Sequence, residues 1–393
     1  MRVYLDHSAT TATDPRVIEK MLPYFNEVFG NASSQHTFGV DAAKAVENAR
    51  IQVAKALNAA PNEIYFTSGG TESDNMAIRG IVDAYKAKGN HVITTSIEHH
   101  AVIETCKLLE KQGVEVTYLK PDTDGIVSVD KVREALRDDT VLVSVMTANS
   151  EIGSIQPIRE IGALCREKKV YFHTDAVQAI GNIPVDVKAD NIDLLSLSAH
   201  KFYGPKGVGV IYIRNGVKVS RLMLGGEQER KMRAGTYNTP GIVGVGEAIT
   251  LACADIPSHH EHLSTLRDHL AKRIVEEIPF CSINGTMTKR LPGNLNVTFD
   301  YIEGESILLM LDMAGIAASS GSACSSGSLE PSHVLLSIGV PAERAHGSIR
   351  FTLGRENTLE QINYTVDKLK EAVEKLRNIS PLFKAKKGET ENV

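Results

Sequence analysis

Two short stretches, each closing an apolar run, hold the residue types best suited to chemistry. Residues 192–197 are mostly apolar and lead into Ser198-Ala199-His200-Lys201-Phe202-Tyr203-Gly204-Pro205-Lys206-Gly207, which is polar, glycine-containing and broken by proline. That pattern predicts the end of a buried strand followed by a loop. Lys201 leaves the strand with a hydroxyl at i−3 and an imidazole at i−1. A lysine amine taken out of water at such a crowded point can lose its proton and form a Schiff base with an aldehyde. By itself the stretch fits a surface lysine in a turn equally well. Upstream, His173-Thr174-Asp175-Ala176-Val177-Gln178 follows the apolar run 170–172 and reads as a second strand end. Asp175 lies 26 positions before Lys201, a spacing that fits two strand ends joined by one crossover. A lysine for the aldehyde and a carboxylate for the ring nitrogen are the pair that a pyridoxal phosphate enzyme needs. The carboxylate keeps that nitrogen protonated, so the ring can draw electrons from the substrate's Cα.

The sequence Ser198-Ala199-His200-Lys201, with Asp175-Ala176-Val177-Gln178 ahead of it, resembles the cysteine desulfurases within the aminotransferase-like (fold type I) pyridoxal phosphate enzymes. The resemblance implies roles for further residues. Ser198 and His200 match phosphate ligands, and Gln178 matches the partner of the cofactor's phenolic oxygen. His99, in Glu98-His99-His100-Ala101-Val102, matches a histidine stacked on the cofactor ring. An imidazole there is suited to moving protons near neutral pH. Asn31 and Asn149 match substrate-side positions. The family's Asn-Pro-Ser-Ser segment is Asn31-Ala32-Ser33-Ser34 here, and its Asn-Asn-Glu-Ile-Gly is Asn149-Ser150-Glu151-Ile152-Gly153. Ser150 is shorter than asparagine, so its cofactor contact is expected to be lost or water-mediated. Thr236 matches a residue that reaches the neighbouring subunit's phosphate, which implies a homodimer. Arg350, in a strand that otherwise wants apolar residues, matches the clamp for the substrate's α-carboxylate, which guanidinium pairs with bidentately. Arg355 is read as structural.

Cys324 lies in Ser319-Ser320-Gly321-Ser322-Ala323-Cys324-Ser325-Ser326-Gly327-Ser328-Leu329-Glu330-Pro331-Ser332-His333, where nine of the fifteen residues are Ser or Gly. Such a stretch is too flexible for core, and buried structural cysteines sit in apolar surroundings. A mobile loop over about 319–333 is expected, suited to a nucleophile that collects sulfur in one place and delivers it in another. The pattern is very close to the long-loop desulfurases of the nitrogen-fixation and iron-sulfur-cluster type. The resemblance runs from Leu5-Asp6 to the Leu376-Arg377-Asn378-Ile379-Ser380-Pro381 ending.

The elements needed to position these residues are legible as an alternation. Strands are expected over 63–67, 91–95, 114–119 and 140–147, each followed by a helix, and a further one, with an antiparallel direction in view, over 208–213. Ser68-Gly69-Gly70-Thr71 is a strand-to-helix turn; its glycines let backbone amides approach a phosphate, with the Thr71 hydroxyl added. Strands separated by helices imply a mostly parallel, seven-stranded-type sheet covered by helices on both faces, an α/β architecture. Ligands of such sheets bind beyond the carboxyl ends of the strands. Gly70 and Thr71, His99, Asn149 and Ser150, Asp175, and Ser198 with Lys201 all fall there. A smaller α+β domain is expected from strands over 294–299 and 347–353 and an amphipathic helix over 359–376. The expected division is a large cofactor-binding domain over 13–257, with 1–12 and 258–393 forming the small domain that carries the cysteine loop. The segment 225–238 has no core periodicity of its own.

At 393 residues, 42% apolar and 23% charged, the chain reads as a soluble globular protein of more than one core. The net charge of −5 gives no basic field for nucleic acid, and no apolar run is long enough for a bilayer. The start, Met1-Arg2-Val3-Tyr4-Leu5-Asp6, lacks the apolar core of a signal peptide. Five scattered cysteines without a CxxC pair suit a reducing cytosol, without structural disulfides or a metal cluster. The expectation is a cytoplasmic, pyridoxal 5'-phosphate-dependent L-cysteine desulfurase. It would turn L-cysteine into L-alanine, leave a persulfide on Cys324 and hand the sulfur to a scaffold protein for iron-sulfur clusters. Selenocysteine lyase, an aminotransferase of the same fold and an inactive cofactor-binding partner are the alternatives.

Overall fold

A computed structural model describes residues 1–320 and 330–384. Cys324 and the middle of its segment therefore lie outside the described residues, as does the tail beyond 384. In chain order the strands are β1 (Val3–Tyr4), β2 (Ile64–Thr67), β3 (His91–Thr95), β4 (Glu115–Leu119), β5 (Thr140–Ser144), β6 (Tyr171–Asp175), β7 (Leu194–Ser198), β8 (Gly209–Ile213), β9 (Cys281–Ile283), β10 (Asn294–Phe299), β11 (Ile316–Ala317) and β12 (Ser348–Thr352). Seven of them form one sheet in the order β2-β8-β7-β6-β5-β3-β4. The pairs from β7 through β6, β5 and β3 to β4 are parallel, and β8 runs antiparallel to both of its neighbours.

Both faces of this sheet are apolar, as parallel strands covered by helices require. Successive residues alternate between the faces. Leu195, Leu197 and Phe172 pack with Val46 and Val53 of helix Thr37–Leu57, Ile161 of helix Ile158–Lys168 and Val245 of helix Thr239–Cys253. Leu194, Leu142 and Ile211 face the other way, onto Met76 and Ile81 of helix Gly70–Tyr85 and Val102 of helix His100–Lys111. The strand ends that carry Asp175 and Ser198 are consequently fixed from two sides.

A second core joins Val3 and Leu5 to Leu263, Leu270, Leu295, Phe299, Ile349, Phe351, Ile362 and Leu369. Its sheet is antiparallel, in the order β12-β10-β9, while β1 and β11 pair in parallel. Helix Leu359–Ile379 starts at a capping box between Thr358 and Gln361 and buries Ile362, Val366, Leu369 and Val373. Asp6 bridges to Thr352 in β12, which carries the N-terminal segment from this second core toward the large sheet. Among the described residues no single helix is long and apolar enough to cross a membrane.

The segment 225–238 departs most from its sequence reading. Glu229 is buried: its two carboxylate oxygens accept from Arg50 at 2.8 and 2.9 Å, and one also accepts from the Phe66 amide at 2.8 Å. Glu229, Arg230 and Lys231 all hold left-handed backbone, with φ of 47°, 54° and 69°. A buried polar anchor docks this loop on the large sheet, beside Met232 and Tyr237 packed against the cores.

Candidate active site

Adjacent parallel strands bring the two decisive side chains together. Asp175 ends β6, and Lys201 closes a short 3-10 turn, Ala199–Lys201, directly after β7. Asp175 is buried, and burial raises its carboxyl to about 6; the Val177 amide, donating at 2.8 Å, and the Lys201 charge pull the other way. The Lys201 amine donates to the Ala9 carbonyl at 2.8 Å and to the Ser8 carbonyl. Gln178, one turn beyond Asp175, donates from its amide to the same Ser8 carbonyl at 3.0 Å. The N-terminal segment thus lies against the lysine and glutamine.

His99 caps helix His100–Lys111, its Nδ1 accepting from the Ala101 amide at 3.1 Å. That bond leaves the neutral ring's proton on Nε2. Burial, and then the Lys201, His100 and His333 charges, push its pKa down to about 4. A neutral imidazole at pH 7 is suited to proton transfer. His200 is likewise held near 4 by burial and the flanking Lys201 and Lys206, and its Nδ1 lies 3.1 Å from the Thr10 hydroxyl.

Gly69 and Gly70 open helix Gly70–Tyr85 against the end of β7. A Cβ on Gly70 would lie 2.7 Å from Val177 Cγ2, and one on Gly69 would lie 3.7 Å from Ser198 Oγ. The glycines therefore let the helix start come close to Ser198 and the Asp175 turn, a cradle suited to a phosphate. Thr71 stands exposed at that helix start.

Arg350 comes from the other sheet. It is buried on β12, donates to Asp6 Oδ1 at 2.9 Å and to the Ser150 carbonyl at 3.2 Å, and leaves its Nε without a hydrogen-bond partner. A buried guanidinium with an unsatisfied nitrogen is suited to receiving a carboxylate. Arg350 and Ser150 line one cavity with His99, His100, Asn149 and His333. Lys201, Gln178 and Ser8 line a neighbouring one with His7 and Tyr203.

Other expected residues have different placements. Asn149 is buried and its amide is fully engaged, donating to the Ile97 carbonyl after β3 at 2.8 Å and accepting from the Glu151 and Ile152 amides of its own loop. Asn31 is exposed and accepts from the Ser33 amide at 2.9 Å. Thr236 is exposed on the loop that Glu229 anchors. Arg355 pairs with Asp14 at 2.7 Å and lies over the Tyr203 ring, a packing role.

The ends of the cysteine segment border this site. Ser319 and Arg350 exchange backbone hydrogen bonds at 2.7 and 3.2 Å. On the far side, the Ser332 hydroxyl donates to Glu151 at 2.5 Å, and His333 Nε2 lies 3.0 Å from the Glu98 carbonyl. Sequence reasoning missed Ser8, Ala9, His333, Glu98 and Asp74. The first two act through carbonyls, which no side-chain pattern signals; the last two are buried acids that a sequence reads as solvated.

The aminotransferase class-V family matches residues 3–365. The chain belongs to the aminotransferase class-V family. It is 58% identical over 384 residues to a protein of Clostridium botulinum named cysteine desulfurase IscS, with 97% of each chain covered. A solved NifS-like protein superposes with a TM-score of 0.91 at 39% identity, covering 96% of this chain and all of that one. Another, described as SspA in complex with cysteine, gives 0.79 at 36% identity, covering 91% of this chain and 100% of the other. The class-V cofactor, pyridoxal 5'-phosphate, suits the residues present. Lys201 would supply an amine for its aldehyde, Asp175 a buried carboxylate for its ring nitrogen, and the Gly69-Gly70 cradle with Ser198 a seat for its phosphate.

Proposed function

We infer that this protein is a pyridoxal phosphate-dependent cysteine desulfurase that converts L-cysteine to L-alanine, with Cys324 receiving the sulfur. The observation that carries the reading is the meeting of Lys201, Asp175 and neutral His99 at neighbouring strand ends, beside a buried arginine from a second sheet. When bound, the cofactor offers an aldehyde for the substrate's amino group and a sink for electrons from Cα.

The chain's own residues do the rest. Arg350 takes the α-carboxylate and so fixes which bond at Cα faces the proton-moving groups. Lys201 or His99 removes and returns that proton. The Cys324 thiolate attacks the substrate sulfur: the sulfur–sulfur bond forms, the carbon–sulfur bond breaks, and the carbon gains a proton to give alanine. A thiolate is far better suited to this than a hydroxyl. The hydrogen bonds that tie Ser319 to Arg350 and Ser332 to Glu151 support delivery of that segment to the site.

The reading extends to a homodimer, a scaffold protein as sulfur acceptor and a cytoplasmic setting. Leu22, Phe25, Phe29 and Phe38 are each more than half exposed, with the Phe29 and Phe38 rings 5.6 Å apart, an apolar patch of the kind a second subunit covers. Cys106, Cys165, Cys253 and Cys281 are free thiols, as a reducing compartment keeps them. Sulfide release from cysteine, with selenocysteine in parallel, tests the activity. Lys201→Ala is expected to lose turnover and the lysine-dependent visible absorption together; an unchanged spectrum would sink the assignment.

A further inference from the structure

Beneath Asp175 lies a polar cluster that the chemistry above does not use. Asp74, on the sheet-facing side of helix Gly70–Tyr85, is 1% exposed, and its Oδ1 has no hydrogen-bond partner. His173 and Asp175 face it from β6, Glu98 from the end of β3, and the Ser196 hydroxyl from β7. The nearest nitrogen is His173 Nε2, at 3.6 Å, too far for a hydrogen bond. Both His173 nitrogens are already engaged by hydroxyls, Nδ1 with Ser144 at 2.8 Å and Nε2 with Ser196 at 3.0 Å. With His173 too distant to hydrogen-bond it and no lysine or arginine among the groups that face it, a charge on Asp74 has no paired cation, and two other carboxyls surround it. An ionised carboxylate so placed would cost several kcal/mol.

We propose that Asp74 is a positioning residue that carries a proton beneath Asp175, so that Asp175 is the one ionised carboxylate of the buried group and its charge is directed at the cofactor ring nitrogen. The electrostatics agree. Burial, and then Asp175, raise Asp74 well above the usual carboxylate range; burial raises Glu98 to about 8 and lowers His173 to about 3. Only Asp175 has both an amide donor and the Lys201 charge to favour its ionised form. The proposal rests on Asp175 being the ring-nitrogen partner.

The test compares holoenzymes carrying Asp74→Asn, Asp74→Ala and Asp175→Asn. Asparagine copies a protonated aspartate in shape and charge, so Asp74→Asn should hold pyridoxal phosphate within about twofold of wild type and keep its visible spectrum. The stability profile gives a readout that simple packing would not move. In the unfolded chain Asp74 ionises near pH 4, whereas in the fold it keeps its proton, so its contribution to stability declines as pH rises above that value. Asp74→Asn removes this decline. Its thermal midpoint relative to wild type should therefore climb as pH rises above 5. Infrared spectra should show a protonated-carboxyl band in wild type that Asp74→Asn lacks. Should asparagine not fit, Asp74→Ser, also uncharged, carries the same expectations. A tenfold loss of cofactor in Asp74→Asn equal to that in Asp74→Ala would overturn the proposal, as would a midpoint that falls relative to wild type with rising pH. Those results would point to an ionised Asp74 paired with a charged His173. An unaltered spectrum in Asp175→Asn would instead overturn the assignment of Asp175 on which the proposal stands.

Discussion

Replacing Glu229 with alanine removes the anchor of the segment 225–238. Three hydrogen bonds of 2.8 to 2.9 Å go with it, two from Arg50 and one from the Phe66 amide, and Arg50 is left buried, its one remaining carboxylate the exposed Glu47. Breaking one side of a buried pair typically costs 3–5 kcal/mol. Part of that returns where one of Glu229, Arg230 and Lys231 relaxes from its left-handed backbone, a conformation that costs roughly 1–2 kcal/mol per residue. A net loss of about 3 kcal/mol is expected, or roughly 1 M in the midpoint of urea unfolding. The same loop holds Arg233 against Glu72, which in turn accepts from the Ser68 amide at the phosphate cradle. Cofactor dissociation should therefore quicken as well. The pair Arg50→Met with Glu229→Leu should recover most of the stability, since it leaves no unpaired buried charge. A Glu229→Ala midpoint within about 0.2 M of wild type would refute the idea that this ion pair docks the loop.

Three further outcomes follow from the site. Thr236→Ala should weaken cofactor retention while leaving each subunit folded, and sedimentation should find a dimer; a fully active monomer would refute the shared phosphate seat. Ser150→Asn should raise sulfide turnover by restoring a longer polar side chain beside Arg350, and no gain or a loss would mean that neighbouring groups already compensate. His99, kept neutral by burial with a pKa near 4, should lose function only as pH falls through that value, so the acid limb of the rate profile should move in His99→Gln; an acid limb unchanged in the variant would remove His99 from proton transfer.

The placement of Lys201 and Asp175 was legible because each follows an apolar strand and precedes a turn, a contrast that survives in a single sequence. The helix over Leu359–Ile379 was legible for a similar reason, through its apolar period. Less visible were elements without such contrast. Helix Gly304–Met313 begins without a side-chain cap, and β9 is three residues long behind Pro279 and Phe280. Polar burial was the other blind spot. Asp74, Glu98 and His173 look solvated by composition, yet each is at most 1% exposed. Asn149 looks available to a substrate, yet its amide folds its own loop. In these cases a distant backbone group or hydroxyl decides what the side chain does.

Locating the transferred sulfur is the most direct measurement. The enzyme is treated with cysteine, trapped with a thiol-alkylating reagent and analysed peptide by peptide by mass spectrometry, alongside Cys324→Ser. The extra sulfur is expected on Cys324, and the variant should still bind cysteine while releasing essentially no sulfide or alanine. Cys106 and Cys165 are buried, with thiols raised to about 12, and Cys253 and Cys281 are raised by burial as well, so none of the four is a ready thiolate. Sulfur found on any of those four, or wild-type sulfide release from Cys324→Ser, would contradict the assignment.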